Sequence, residues 1–328
     1  MVRDFQVKSL PKVDLHRHFE GALRVETLFE FYKKRHPKDR LSLRKFSQRL
    51  KADKRKKSLV EFISKLGTKY IRSLKLSKKE IERLAFEVVV DAVEDKVIYL
   101  ELRVCPLAHE RKDLSVDEFF KALVRGVKRA SKKFKIKVRL IVSFKREDGV
   151  KKNLELVELL KRNMKVIVGV DLCGDEAKYL NEDYKKIFKL TRSLGFKTTI
   201  HAGEAAGWQS IESAVKVLKA DRIGHGVNIF PEADRLVKLL KARGVGVEMC
   251  LQSNVLTGAV SNLKKHPINY WYDQGVLVSV NTDNPVTTDY SLSQEWRKLI
   301  KERGFTQGDF LIMQIQAIEM SFLDEKGK

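Results

Sequence analysis

Four short stretches carry residue types suited to metal and acid–base chemistry. In Val13-Asp14-Leu15-His16-Arg17-His18, the two histidines are two apart, so on a strand they face the same side. Two imidazoles converging there can hold one zinc through neutral nitrogens. Two unrelated histidines on a polar strand face would give the same letters. In Thr199-Ile200-His201-Ala202-Gly203-Glu204, His201 ends an apolar run and Glu204 follows after one tight turn. His201 suits a third ligand, and Glu204 an acid whose proton is held by burial. A carboxylate opening the next helix reads identically. In Arg222-Ile223-Gly224-His225-Gly226, flanking glycines let the backbone pass close to another group, and His225 can orient or deprotonate a water. A histidine in a Gly-rich turn is the plain alternative. In Asn281-Thr282-Asp283-Asn284-Pro285, Asp283 can complete a metal shell and take a proton, while Asn284 can bond a ligand. The same residues are ordinary turn formers. Each stretch alone has a bland reading. All four end apolar runs in a chain with 7 histidines, and that coincidence favours one shared metal site.

The elements that must position these residues alternate along the chain. Eight short β-branched or apolar runs recur: Lys12–Phe19, Val97–Cys105, Val138–Phe144, Val166–Cys173, Lys197–Ala202, Arg222–Val227, Val245–Cys250 and Leu277–Asn281. Between them lie stretches of helical spacing. Ser77 to Val93 and Ser115 to Ala130 each open on a capping-box pattern. Asn181 to Leu194 and Pro231 to Arg243 each close beside a glycine, Gly195 and Gly244. Eight strands alternating with helices predict an α/β fold of the (β/α)8 TIM-barrel type, with an open doubly wound sheet as the alternative. In such a barrel, the C-terminal strand ends form the face that carries chemistry. Arg24 to Glu94 is too long for one crossover helix, so extra helices are expected between strands one and two, over the barrel mouth. No Pro- or Gly-rich linker divides the chain, and residues 1–328 read as one domain.

Composition narrows the partners. Hydrophobic residues make up 43% of the 328, enough for a sizeable core. The net charge of +23 is concentrated between Lys33 and Lys57 and between Lys128 and Lys137. Neither cluster interleaves the aromatics that stack on bases, so a solvated surface is expected rather than a nucleic-acid footprint. The three cysteines, Cys105, Cys173 and Cys250, lie far apart and form no CxxC pair, which suits buried thiols in a reducing cytoplasm. No apolar run has the length of a membrane span, and residues 1–10 lack the core of a signal peptide. Nothing in the sequence fixes the oligomeric state.

In order, His16-Arg17-His18-Phe19-Glu20-Gly21-Ala22, Leu172-Cys173-Gly174-Asp175-Glu176, His201-Ala202-Gly203-Glu204, Arg222-Ile223-Gly224-His225-Gly226 and Asn281-Thr282-Asp283-Asn284 resemble the adenosine deaminase family of metal-dependent hydrolases. Two quieter landmarks agree: Tyr99 to Pro106, and Ser253-Asn254 with Thr257-Gly258. The resemblance runs from Leu10 to about Leu323. It implies hydrolytic deamination of a small-molecule purine nucleoside: adenosine, and with it 2′-deoxyadenosine, giving inosine and ammonia. It implies one Zn2+ per chain on His16, His18, His201 and Asp283. Glu204 would then protonate purine N1, and His225 with Asp283 would activate the zinc-bound water that attacks C6. Gly174 would meet the ring through its backbone amide, Glu20 and His18 would line the sugar side, and Asn284 would face N7.

Two positions depart from the family's best-known pattern. Glu20 stands where adenosine-specific members usually carry aspartate, and its extra methylene moves the carboxylate outward. Asn284 replaces a second aspartate, and its amide donates a hydrogen bond at any pH. Rival substrates are therefore adenine, aminodeoxyfutalosine and N6-substituted purines or their nucleotides. A catalytically retired basic scaffold for polyanions is a rival of another class. The H-x-E and P-C-x-x-C pattern of cytidine deaminases is excluded by the missing CxxC.

Overall fold

The apolar runs become strands and the Ser-x-x-Glu patterns start helices. In the computed structural model, which describes residues 6–324 apart from 53, 57, 65 and 67, the strands are β1 (Lys12–His18), β2 (Val97–Val104), β3 (Lys137–Lys145), β4 (Ile167–Cys173), β5 (Lys197–Ala202), β6 (Arg222–His225), β7 (Gly246–Met249) and β8 (Val278–Val280). All pair in parallel and in chain order. The seam between β8 and β1 is closed by a bridge of Arg17 with Asp283. Asp283 donates its N–H to His16 O, and His18 donates to Asp283 O, each at 2.7 Å. The fold is a (β/α)8 barrel, as the alternation of runs and helices predicts.

Ser77 and Ser115 cap Lys78–Glu94 and Val116–Phe134 with complete capping boxes. Gly244 ends Ala233–Arg243 in the left-handed region. The stretch expected as one helix from Asn181 starts instead as a 3-10 turn, Asn181–Tyr184, before Lys185–Ser193. The long β1–β2 connection holds Val25–Arg35, Leu43–Leu50, Leu59–Ile63 and Thr68–Ser73 ahead of Lys78–Glu94. Two residues of the first basic cluster, Asp53 and Lys57, lie outside the described residues. No helix among the described residues is long and apolar enough to cross a membrane.

The apolar core lies mainly between the barrel and its helices, where Leu100, Leu102, Val142, Ile200, Phe119 and Trp271 are all buried. The barrel's interior is charged. Arg103, Arg222, Glu101 and Glu248 are at most 1% exposed. Arg222 Nε donates to Glu248 Oε1 at 2.6 Å, and its Nη2 donates to Glu101. Arg103 Nη2 donates to Glu248 Oε2, and its Nη1 lies 3.3 Å from Asp171 Oδ1. Buried charges persist only when paired in this way. The lattice sits directly beneath the C-terminal strand ends.

Candidate active site

The strand ends bring every site residue expected from the sequence into one cavity of about 440 Å3, apart from His16, which is fully buried beneath its floor. His18 and Glu20 come from the end of β1, Gly174 from β4, His201 and Glu204 from β5, His225 from β6, and Asp283 with Asn284 follow β8. His225 and Asp283 have positive φ, 69° and 58°. A non-glycine residue rarely adopts that backbone and keeps it only where its surroundings impose it. Both residues leave their strands sharply, which aims their side chains across the mouth.

Three sets of buried ligand atoms each lie within 4.8 Å of one another: His16, His201 and His225; His16, His18 and Asp283; and His18, Asp171 and His201. His18 Nε2 and His201 Nε2 are 3.1 Å apart. Asp283 Oδ1 is 3.4 Å from His18 Nε2 and 3.5 Å from His16 Nε2. His16 Nε2 is buried without a hydrogen-bond partner. Burial, joined by Arg103 and the neighbouring imidazoles, holds His16 well below the usual histidine pKa, and burial with His201 does the same to His18. Neutral imidazoles with converging Nε2 lone pairs, beside a carboxylate, form the donor set a divalent metal needs. The residues fit a single metal ion.

The groups behind these rings set their tautomers. His16 Nδ1 lies 2.9 Å from Glu248 Oε2, and His201 Nδ1 lies 2.9 Å from Asp171 Oδ1. An ionised carboxylate only accepts, so each Nδ1 carries hydrogen and each Nε2 is left with its lone pair. His225 is arranged the opposite way. Ile268 N–H donates to His266 Nδ1 at 3.2 Å, so neutral His266 carries its hydrogen on Nε2. That Nε2 donates to Asn254 Oδ1 at 3.1 Å, and the Asn254 amide donates to His225 Nδ1 at 3.0 Å. His225 Nε2 therefore carries the hydrogen and points at Glu204 Oε2, 3.4 Å away. Burial, then Arg303, pushes His266 down to about 3, which keeps this chain neutral.

Glu204 is 4% exposed and its Oε1 has no partner. Burial, reinforced by the negative charges of Asp283 and Glu176, raises its pKa well above the carboxylate range. Its loop is held by Glu176, whose carboxylate accepts from the backbone N–H of Gly203, Glu204, Ala205 and Ala206 and from Ser210 Oγ. Burial raises the Asp283 pKa, opposed by hydrogen bonds from Ser253 Oγ to Oδ2 and from Asn284. A Cβ on Gly21 would overlap the Asn284 side chain, so glycine is needed there. Glu20 is less free than the sequence suggested. Its Oε1 accepts from Cys105 N–H at 3.0 Å and from His109 Nε2 at 2.8 Å.

Reading the sequence alone missed Glu248, Asp171, Asn254, His266, Glu176 and His109 as supports of the site. Charged letters inside apolar runs, in Val170-Asp171-Leu172 and Val247-Glu248-Met249, were the available signal for two of them. His266 offered none.

The family profile described as adenosine deaminase matches residues 11–328. An adenosine deaminase of Clostridium perfringens is 33% identical over 322 residues, covering 98% of this chain and 96% of the relative. One from Clostridium botulinum is 32% identical over 333 residues, with the same coverage. Among solved structures, the Arabidopsis N6-mAMP deaminase superposes with a TM-score of 0.85 at 26% identity, covering 98% of this chain and 96% of that one. The adenine deaminase of Arthrobacter aurescens reaches a TM-score of 0.87 at 22% identity, covering 97% and 95%, a likeness of fold.

Proposed function

The chain belongs to the adenosine deaminase family and is a hydrolytic deaminase; we propose that it converts adenosine, and 2′-deoxyadenosine, to inosine and ammonia. The observation that carries this reading is the meeting of a protonated acid, Glu204, with the Nε2–H of His225, 3.4 Å apart, beside the converging imidazoles of His18 and His201.

His16, His18, His201 and Asp283 would hold one Zn2+, the metal best suited to three imidazoles and one carboxylate. When bound, it supplies the Lewis acidity that makes water a nucleophile near neutral pH. Glu204 holds its proton in the buried pocket and passes it to purine N1, which leaves C6 electrophilic. His225 acts as a hydrogen-bond donor through Nε2, steadying the oxygen that adds to C6. Its tautomer supports the orienting role over the role of base. Asp283, with Oδ2 tied to Ser253, takes the proton released by the water and returns it to the C6 amine, which leaves as ammonia, while the proton of the new C6 hydroxyl restores Glu204. The Gly174 amide meets the ring. A side chain at Gly174 would overlap Glu147, and its φ of 102° suits glycine. The Asn284 amide faces N7, and Glu20 and His18 line the sugar side.

The test is the fall in ultraviolet absorbance, with stoichiometric ammonia, when the metal-loaded protein meets adenosine. Turnover of adenine without turnover of adenosine would move the assignment to a free-base deaminase. Inertness toward every 6-aminopurine, combined with salt-sensitive retention of RNA, would point to a polyanion scaffold.

A further inference from the structure

Among the described residues, three cations line the mouth of the catalytic cavity that an uncharged nucleoside does not use. Lys69 and Arg72 stand three residues apart on the helix Thr68–Ser73, and Lys145 ends β3; all three line the same cavity as Glu204 and Asp283. Lys69 and Arg72 are exposed, and among the described residues neither forms an ion pair within 4 Å. Acidic neighbours on this rim are Glu147, 3.9 Å from Lys145 Nζ, and Asp148, within electrostatic reach of Arg72 and Lys145. Glu147 is partly engaged elsewhere, since its Oε1 accepts from Asp175 N–H at 3.1 Å.

The carboxylates that line the cavity itself are each accounted for. Glu204 retains its proton, Asp283 belongs to the metal-binding set, and Glu20 is turned to the wall by His109 and Cys105. The cavity lining therefore joins the polar site residues and the apolar side chains of Leu59, Phe62 and Ile63 to a rim of net positive charge, where Lys69, Arg72 and Lys145 are offset only in part by Glu147 and Asp148. The residue expected to hold a sugar hydroxyl has one of its two oxygens spent on protein donors. A phosphate monoester carries about −1.5 to −2 near pH 7 and offers acceptor oxygens to such a rim.

We propose that Lys69, Arg72 and Lys145 form a phosphate subsite, so that the preferred substrates are 6-aminopurine nucleoside monophosphates, with the free nucleoside a poorer substrate. The proposal rests on the deaminase reading for its chemistry and on the cavity rim for its charge. Amine loss at C6 leaves the phosphate untouched, so the product of AMP is inosine monophosphate and ammonia.

The test compares kcat/KM for adenosine, 5′-AMP and 3′-AMP on one preparation of metal-loaded enzyme at low salt. Losing two charge-assisted contacts typically weakens a complex about ten- to a hundredfold. We expect AMP to exceed adenosine by about tenfold or more, and the AMP-to-adenosine ratio to fall by about the same factor in the double variant Lys69→Ala/Arg72→Ala. Added salt should compress the ratio, because the rim is exposed to solvent. Preference for either AMP isomer supports the subsite and tells which hydroxyl bears the phosphate. A ratio near one that the double variant leaves unchanged overturns it. Calorimetric binding of inosine monophosphate against inosine gives a readout independent of turnover. If neither adenosine nor AMP is deaminated, the deaminase reading fails. The affinity ratio of the two inosine compounds, in the parent and the double variant, then still decides the subsite.

Discussion

Replacing His266 with phenylalanine tests whether the proton on His225 is placed by the chain behind it. His266 is 1% exposed and makes two hydrogen bonds, accepting from Ile268 N–H and donating to Asn254 Oδ1. Phenylalanine keeps the volume and removes both. A buried group left unpaired costs about 1–3 kcal/mol, so a loss of about 2–5 kcal/mol in folding stability is expected. The catalytic effect has a separate origin. Without the His266 donor, the Asn254 amide is free to turn over and offer Oδ1 to His225, which moves the imidazole hydrogen to Nδ1. His225 Nε2 then accepts where it should donate. Removing one preorganised donor at a developing oxyanion costs about a hundred- to a thousandfold in kcat. Because the amide would populate both orientations, a loss of about ten- to a hundredfold is expected, with KM nearly unchanged. The assay is steady-state kcat and KM with adenosine, together with nitrogen NMR of the His225 ring. His266→Gln restores a donor toward Asn254 and should regain most of kcat. A folded His266→Phe enzyme within about twofold of the parent kcat, or one whose His225 tautomer is unchanged, refutes the reasoning.

Glu204→Gln removes the proton donated to N1, and kcat should drop by about two to four decades at unchanged metal content; near-native turnover would remove Glu204 from the mechanism. The parent enzyme should lose kcat as pH rises through the raised Glu204 pKa, and a flat alkaline limb would contradict that. Glu176→Gln sets an amide N–H2 against backbone donors now satisfied by a carboxylate, and should lower both Tm and kcat, with a stability cost of about 2–4 kcal/mol; an unchanged Tm would argue against it. Burial pushes Glu295 up to about 8, although Gln252 N–H donates to its carboxylate. Between the usual glutamate value and 8, the folded state holds a proton that the unfolded chain has released. Stability tied to Glu295 is thus present in full at low pH and is lost as pH rises to about 8. Glu295→Gln should gain on the parent in Tm from pH 5 to pH 8, by the equivalent of a few kcal/mol at most; a difference that shrinks over that range would reverse the sign.

The sequence made legible whatever depends on local spacing. The period of two put His16 and His18 on one side of β1, and the Ser-x-x-Glu patterns at Ser77 and Ser115 started helices where expected. The length of Arg24 to Glu94 required several helices, and four form among its described residues before the long one. What stayed hidden depends on contacts across the barrel. Glu248 reaches His16 from 232 residues away, and Asp171 reaches His201 from 30. Neither distance has a local pattern. Glu20 could be suspected of facing the sugar, but its tie to His109, 89 residues on, appears only once β2 lies beside β1. The positive φ values of His225 and Asp283 were equally unreadable, since histidine and aspartate visit that region more than most residues but neither letter requires it.

One residue type performs two tasks in this cavity, and the partner behind each ring separates them. His16 and His201 back onto carboxylates, which take the Nδ1 hydrogen and leave Nε2 as a metal donor. His225 backs onto an amide that donates, so its Nε2 keeps the hydrogen and cannot offer a lone pair. Of the three sets of ligand atoms, the one containing His225 is disfavoured by its tautomer, and the one containing Asp171 uses a carboxylate already committed to His201. His16, His18 and Asp283 remain as the proposed metal set, with His201 joining through its Nε2, 3.1 Å from that of His18. The buried arginines belong to the same logic. Glu248 accepts from His16 at 0% exposure, and a buried carboxylate needs a fixed cation beside it. Arg103 and Arg222 supply that charge from inside the barrel. The ionic lattice beneath the site thus sets, two contacts away, the tautomers of His16 and His201, while the neutral chain through Asn254 and His266 sets that of His225.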